Sequence, residues 1–461
     1  MKRILILFLL CSSWAYSQDQ AEVLGMEEFL AMVKKYHPIV KQSDLQIQSS
    51  EAKLMKARGA FDPKIGVDWD QKEFAGSQYY DKINTYFKIP TWYGLEFIGK
   101  YENNTGTYLN PESKVPEGGL YNVGVSLSLA QGFLMDQRMA SVRKAKAFEK
   151  QALADQKLVV NRVMFQAMNA YYDWLKTYDE LEVYQNYLKN AQGQYQGIKT
   201  QYDSGDIAAI DTLEASINLN NRIILKEKAE LNYQKSSLAL SNFLWIEDIP
   251  VELKDGLSPQ RDLIVKIDEV LELSQFEMDS VDLSLHPKLQ SLNYKLDQLK
   301  IDQKLKRNQM LPDLKVQYYL LDASTVNDPS YGFSAENYKS SLTLSIPILL
   351  RKDRANLKLN QYKIEDMSYQ MDLASLELSN KIKAIETEIN TYEGLLGQSK
   401  KIVTDYESLA NGEQQKFLNG DSSLFKVYYR EGKWLESQLK NIQTYISYLG
   451  SKSKLRYTLA L

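Results

Sequence analysis

Ile83-Asn84-Thr85-Tyr86-Phe87-Lys88-Ile89 and Tyr121-Asn122-Val123-Gly124-Val125-Ser126-Leu127-Ser128-Leu129 decide the fold. In both, an apolar or aromatic residue (once Thr85) stands at every second position, the period of a strand with one apolar face. The same alternation runs through Ile65, Val67 and Trp69, through Leu95, Phe97 and Tyr101, through Leu314, Val316, Tyr318 and Leu320, and through Leu342, Leu344, Ile346 and Ile348. Barrel strands are therefore expected at about 64–130 and about 313–349. Each run is about 9 to 11 residues or a little less, the length of a tilted strand that crosses a bilayer. Trp69, Trp92, Tyr93 and Tyr121 lie near strand ends, as membrane-interface aromatics do. Segments 103–120 and 322–337 are long and rich in Gly, Pro, Asn and Ser, whereas Pro90-Thr91-Trp92-Tyr93-Gly94 is a tight turn. Long loops outside and short turns inside mark outer-membrane barrels. A soluble sandwich would alternate in the same way.

Working outward, the chain is written twice. His37-Pro38 is matched by His286-Pro287, and Pro63 before the first strands by Pro312 before the later ones, at one offset. Each strand block gives way to a helical pattern of about 65 residues or more, which breaks at Gly205-Asp206 in one half and Gly420-Asp421 in the other. A Gly beyond a helix followed by an Asp that can cap the next is a turn with a mechanism, so the tips of two helical hairpins are expected near 203–206 and 418–421. The first repeat spans 18–245 and the second 286–461, with a small linker domain at 246–285 that has its own Pro250, Gly256 and Pro259.

From Val163 apolar residues step by fours and threes through Ala167, Ala170, Trp174, Tyr178, Leu181, Tyr184, Leu188, Ala191, Tyr195 and Ile198 to Tyr202, averaging about 3.5, the seam of a left-handed coiled coil. A helix from Gln137 to Tyr202 extends on the order of 100 Å. No compact domain holds that. The helices alone fit an elongated coiled coil without a pore equally well, but the strands require more. Six strands, or four if the hairpin 83–101 lies outside the sheet, are too few to close a barrel, since single chains need about eight. An open edge cannot sit in lipid. Closure must come from other copies, three of which give about 12 or about 18 strands.

The N-terminus reads as an export signal over residues 1–17: Lys2 and Arg3, the apolar run Ile4 to Leu10, and Ala15-Tyr16-Ser17 before a cleavage point at Gln18. Cys11 suggests lipid attachment, but Leu10 stands where that signal needs a small residue. Cleavage removes the chain's one cysteine, so the mature protein is held without disulfides. With 56 basic against 59 acidic residues and no basic tail, nucleic-acid binding is not expected.

In the order of these pieces, repeated at matched spacing over nearly all the mature chain, the sequence resembles the TolC family of outer-membrane efflux proteins. The resemblance rests on Pro38 and Pro287, Pro63 and Pro312, the Ser126-Leu127-Ser128-Leu129 and Leu344-Ser345-Ile346-Pro347 strand ends, and the tip Tyr202-Asp203-Ser204-Gly205 with Leu213, Ala215 and Leu219 after it. It implies an α+β membrane protein: a homotrimer whose protomer is a tandem repeat, with a transmembrane β-barrel continued by a long α-helical periplasmic barrel. It also implies an exit duct for tripartite efflux or type I secretion, meeting a periplasmic adaptor (membrane fusion protein) and an inner-membrane transporter. Adaptor contacts would fall on Ser204, Gly205, Asn419 and Gly420.

Two departures from the family stand out. Four strands occupy the first block where relatives commonly have two. The family's entrance is narrowed by acidic residues early in the helix after the second tip, and Lys426 and Tyr429 occupy those places here. The places after the first tip hold Asp211 and Glu214, one helical turn apart. Asp211 and Glu214, helped by Asp206 and Asp421, are therefore expected to form the anionic constriction in three copies, since close carboxylates repel and bind cations. The plainer reading is favourable charge near a helix N-terminus.

No catalytic set can be assembled, and neither histidine has ligand-spaced partners, so no enzyme, cofactor or metal is expected. The competing class is a secreted or cell-surface coiled coil, structural or adhesive, without a pore.

Overall fold

The computed structural model describes residues 22–254, 256–273, 282–323 and 332–461. The export signal lies outside the described residues. The first half comprises β1 (Val23–Leu24), α1 (Met26–Tyr36), α2 (Pro38–Arg58), β2 (Lys64–Phe74), β3 (Ser77–Pro90), β4 (Leu95–Thr105), β5 (Leu120–Ser128), the single turn α3 (Gln131–Leu134), α4 (Gln137–Asp203) and α5 (Ala209–Ser241). Between the halves are β6 (Trp245–Ile246), β7 (Ile249–Pro250), β8 (Ser258–Pro259) and α6 (Leu263–Val270). The second half comprises α7 (Pro287–Asn308), β9 (Asp313–Asp322), β10 (Tyr338–Ser345), α8 (Arg351–Leu418) and α9 (Leu424–Leu459).

Both His-Pro pairs start helices for the same reason. Proline's fixed φ suits the first helical position, and the histidine before it caps the end. His37 Nδ1 accepts from Ile39 N at 3.3 Å, and His286 Nδ1 from Lys288 N at 3.1 Å. An accepting Nδ1 requires the neutral ring, and burial lowers both pKa values in the same direction. His286 then carries its proton on Nε2 and donates to the Thr458 carbonyl at 3.1 Å.

The six long strands form one antiparallel sheet in the order β10-β9-β5-β4-β3-β2. The hairpin β3-β4 lies inside this sheet, with Phe87 opposite Gly99 and Thr85 opposite Tyr101. β10 ends at Ser345, so Ile346 and Ile348, read from sequence as strand, lie beyond it. Pro347 between them has no amide to give a ladder.

Near the tips the long helices form a single layer in which α5 packs on α4, α4 on α9 and α9 on α8; toward the sheet the sequence is α2, α4, α7, α8. The main core lies at mid-length. Here Met164, Ala167, Met168, Tyr171, Trp174 and Leu175 of α4 meet Phe29 and Val33 of α1, Leu263 and Ile267 of α6, and Leu449 of α9. The coiled-coil seam expected from sequence is too narrow for this part of α4, which is buried on more than one face. The reason lies in segment 22–36, which the sequence reading gives no role. Its strand β1 pairs in parallel with β8, and α1 wraps α4 from a second side.

Candidate functional site

The sheet sorts its side chains by parity, and the ladder registers extend this across all six strands. One face carries Ile65, Val67 and Trp69 of β2, Ile83 and Phe87 of β3, Phe97 and Tyr101 of β4, Tyr121, Val123 and Val125 of β5, Val316, Tyr318 and Leu320 of β9, and Tyr338, Leu342 and Leu344 of β10. Many are bare: Ile65 is 76% exposed, Trp69 67% and Leu342 70%. An apolar face of this extent in water marks a surface made to be covered. The other face carries Lys64, Asp68, Lys82, Lys88, Glu96, Lys100, Glu102, Asn122, Ser126, Lys315, Gln317 and Lys339. Among the described residues neither edge strand, β2 or β10, has an outer neighbour in the sheet.

Two of the four candidate interface aromatics sit at each end of the sheet. Trp92 and Tyr93 form the short turn, with Trp92 stacked on Phe61 at 4.7 Å. Trp69 and Tyr121 lie toward the long loops, where Trp69 Nε1 donates to Asp81 at 2.8 Å and Tyr121 meets the Tyr101 ring at 4.9 Å.

At the other end of the molecule the two hairpin tips are built alike. Gly205 and Gly420 both have φ of +84°, the left-handed region where a Cβ is costly. Around them Asp206 N donates to Gln201 O and Gly205 N to Tyr202 O, and Asp421 N donates to Lys416 O and Gly420 N to Phe417 O. This is the Schellman closure, which satisfies the last carbonyls of a helix. The expected capping by Asp206 and Asp421 does not occur. The following helices have Ala208 and Ser423 at their N-caps and no side-chain cap bond. The tip turn spends each aspartate's backbone on the helix behind it and places the next N-cap two residues further on.

Ser204, Gly205, Asn419 and Gly420 are exposed at these tips, as are Asp206 and Asp421. Asp211 and Glu214 are half-buried in the first turns of α5. The tips pack together through Ile198, Ala215 and Leu424, with Tyr428 against them. Burial pushes the Tyr428 hydroxyl up to about 12; the Arg222 charge opposes this, and the nearby Glu214 and Glu431 charges add to it.

Above the tips lies a feature not foreseen from sequence. Arg222 of α5 is 2% exposed and its Nη2 meets Glu431 Oε2 of α9 at 2.5 Å. Its guanidinium lies 3.7 Å from the Tyr187 ring centroid, and Nη1 donates to the Tyr187 carbonyl at 3.1 Å. Glu431 Oε1 accepts from Gln194 of α4 at 2.5 Å. The pair joins the two hairpins. A signal was present: the buried positions of α5 are Ala215, Arg222, Ala229, Ser236 and Leu240, and the first four form a seven-residue repeat of small side chains with one arginine in it.

Among the described residues no group of three or more His, Cys, Asp or Glu could hold a metal, and no helix is long and apolar enough to cross a membrane. Residues 32–244 match the sequence model of a family described as outer membrane efflux protein. No curated protein matches the chain in sequence. Its fold is similar to the CmeC outer membrane channel of Campylobacter jejuni (TM-score 0.65, 13% identity, 94% of this chain and 85% of that one). It is also similar to the outer membrane protein VceC of Vibrio cholerae (0.65, 11%, 94% and 96%) and to the open state of the MtrE outer membrane channel of Neisseria gonorrhoeae (0.63, 12%, 96% and 93%).

Proposed function

The chain belongs to the outer membrane efflux protein family, and on that premise we propose that it is one protomer of a homotrimeric exit duct. It is an outer-membrane channel protein with its helical part in the periplasm, and not an enzyme. The observation that carries the trimer is the sheet: six strands, one exposed apolar face and two open edges. Lipid covers the apolar face, and β10 of one copy pairs with β2 of the next. Three copies give about 18 strands, wide enough for an aqueous pore.

The helices support the same closure. α5 presents Ile217, Ile224, Leu231 and Leu238 every seventh residue on its exposed flank, and the tip half of α8 presents Leu395, Ile402 and Leu409 at the same spacing. These flanks end the helical layer on its two sides. A head-to-tail contact of one flank on the other closes a ring.

Tip residues Ser204, Gly205, Asn419 and Gly420 are the contact for a periplasmic adaptor, through which an inner-membrane transporter delivers substrate. Asp211 and Glu214, with Asp206 and Asp421, set an acidic constriction there. Detergent extracts of the outer membrane should contain a heat-modifiable trimer that conducts ions in planar bilayers. A water-soluble monomer that inserts no channels would overturn the duct. Within a working channel, Asp211→Ala with Glu214→Ala should weaken block by divalent cations added at the periplasmic side. Unchanged block would remove the acidic gate and leave the duct standing.

A further inference from the structure

The polar face of the sheet is not evenly mixed. Along one row of the ladder, Lys64, Lys88, Ile98, Gly124, Tyr319 and Lys339 follow one another from β2 to β10. The adjacent row toward the long loops holds Gly66, Tyr86, Lys100, Asn122 and Leu321. These two rows carry four lysines and no carboxylate. The flanking rows hold the acids, Asp68 and Glu102 on one side and Glu96 on the other. Glu96 is already engaged by Arg138 at 2.8 Å.

Aromatic rings hold two of these lysines. Lys88 Nζ lies 4.4 Å from the Tyr86 centroid, and Lys100 Nζ lies 5.0 Å from that of Tyr319. Among the described residues none of the four forms an ion pair within 4 Å, so their charge is uncompensated at contact range. Gly124 permits the arrangement. A Cβ there would stand 2.1 Å from the Tyr318 carbonyl oxygen and 2.7 Å from the Tyr319 ring, so a side chain would displace the aromatic floor under Lys100.

We infer that Lys64, Lys88, Lys100 and Lys339 form a cationic band around the lumen of the barrel that selects for anionic solutes, those bearing carboxylate, sulfonate or phosphate groups. The inference rests on the duct reading, which turns this face inward and repeats it three times. An ammonium on a flexible stem is a mobile, hydrated point charge. It draws an anion in without gripping it, as conduction through many weak sites requires. The bilayer around the pore has a low dielectric and focuses the field of such a ring on the aqueous path.

The test uses the full-length trimer in planar bilayers under a potassium chloride gradient, with benzenehexacarboxylate added at the extracellular side as the anionic probe. The wild-type current should be blocked by the probe. Glutamine at all four lysines should abolish the block and move the reversal potential toward that of potassium, and arginine at all four should keep both properties. Lys100→Gln alone should give a partial shift, which keeps the test open if the fourfold variant fails to assemble. A glutamine variant that conducts with unchanged reversal potential and unchanged block overturns the band and leaves the duct intact. A wild-type protein that forms no channels overturns the duct itself.

Discussion

Asp179 shows how one side chain couples this fold to pH. It sits on α4 beside Arg261 at 3.2 Å, yet burial pushes its carboxyl up to about 6, because desolvation outweighs the arginine and Glu182 adds to the rise. A carboxyl whose pKa is higher in the folded protein than in the unfolded chain binds more protons when folded. Stability therefore falls as pH rises from about 4 to about 6 and stays lowered above. The effect is at most about 3 kcal/mol. Asp179→Asn should remove this slope and raise the melting temperature at pH 8, while leaving it little changed at pH 4; a thermal melt at both pH values decides. The neutral asparagine loses the charge of the Arg261 pair, but Arg261 keeps Glu182 as a partner.

Between elements, the Arg222 and Glu431 pair is the contact whose loss is most informative. Both groups are buried, and Glu431 also holds Gln194, so three helices of two hairpins meet at one carboxylate. Removing one partner strands the other charge out of water, at a cost of about 3 to 5 kcal/mol. Arg222→Ala should lower the unfolding temperature of the trimer clearly, whereas Arg222→Met with Glu431→Leu should restore much of it. If the single variant melts like the wild type, the pair contributes nothing to holding the hairpins together. Sequence made the hairpins legible, since Gly205 and Gly420 mark their turns. It did not reveal the pair, because an arginine in a long polar helix looks like a solvated charge until the partner helix is placed.

For the whole molecule, the exposed flank of α5 is the place to test assembly. Ile224 and Leu231 are 52% and 49% exposed in the single chain, and covering the exposed half of each gains roughly 0.8 to 1.5 kcal/mol. Glutamate at both should leave the protomer folded and abolish the heat-modifiable trimer on gel electrophoresis; trimers of normal stability would show that this flank is not an interface. The sequence by itself determined the doubled plan, the strands and their two faces, the long helices and the histidine starts, because each is written in a local period or a fixed offset that neighbouring residues alone satisfy. Only the tertiary structure decided that the hairpin β3-β4 lies within the sheet, that α1 and the segment between the repeats wrap the middle of α4, that Arg222 finds Glu431, and that four lysines from β2, β3, β4 and β10 share two rows. Those features join residues far apart in the chain. Strand register and helix packing place them together, and neither can be read from the spacing of side chains along one element.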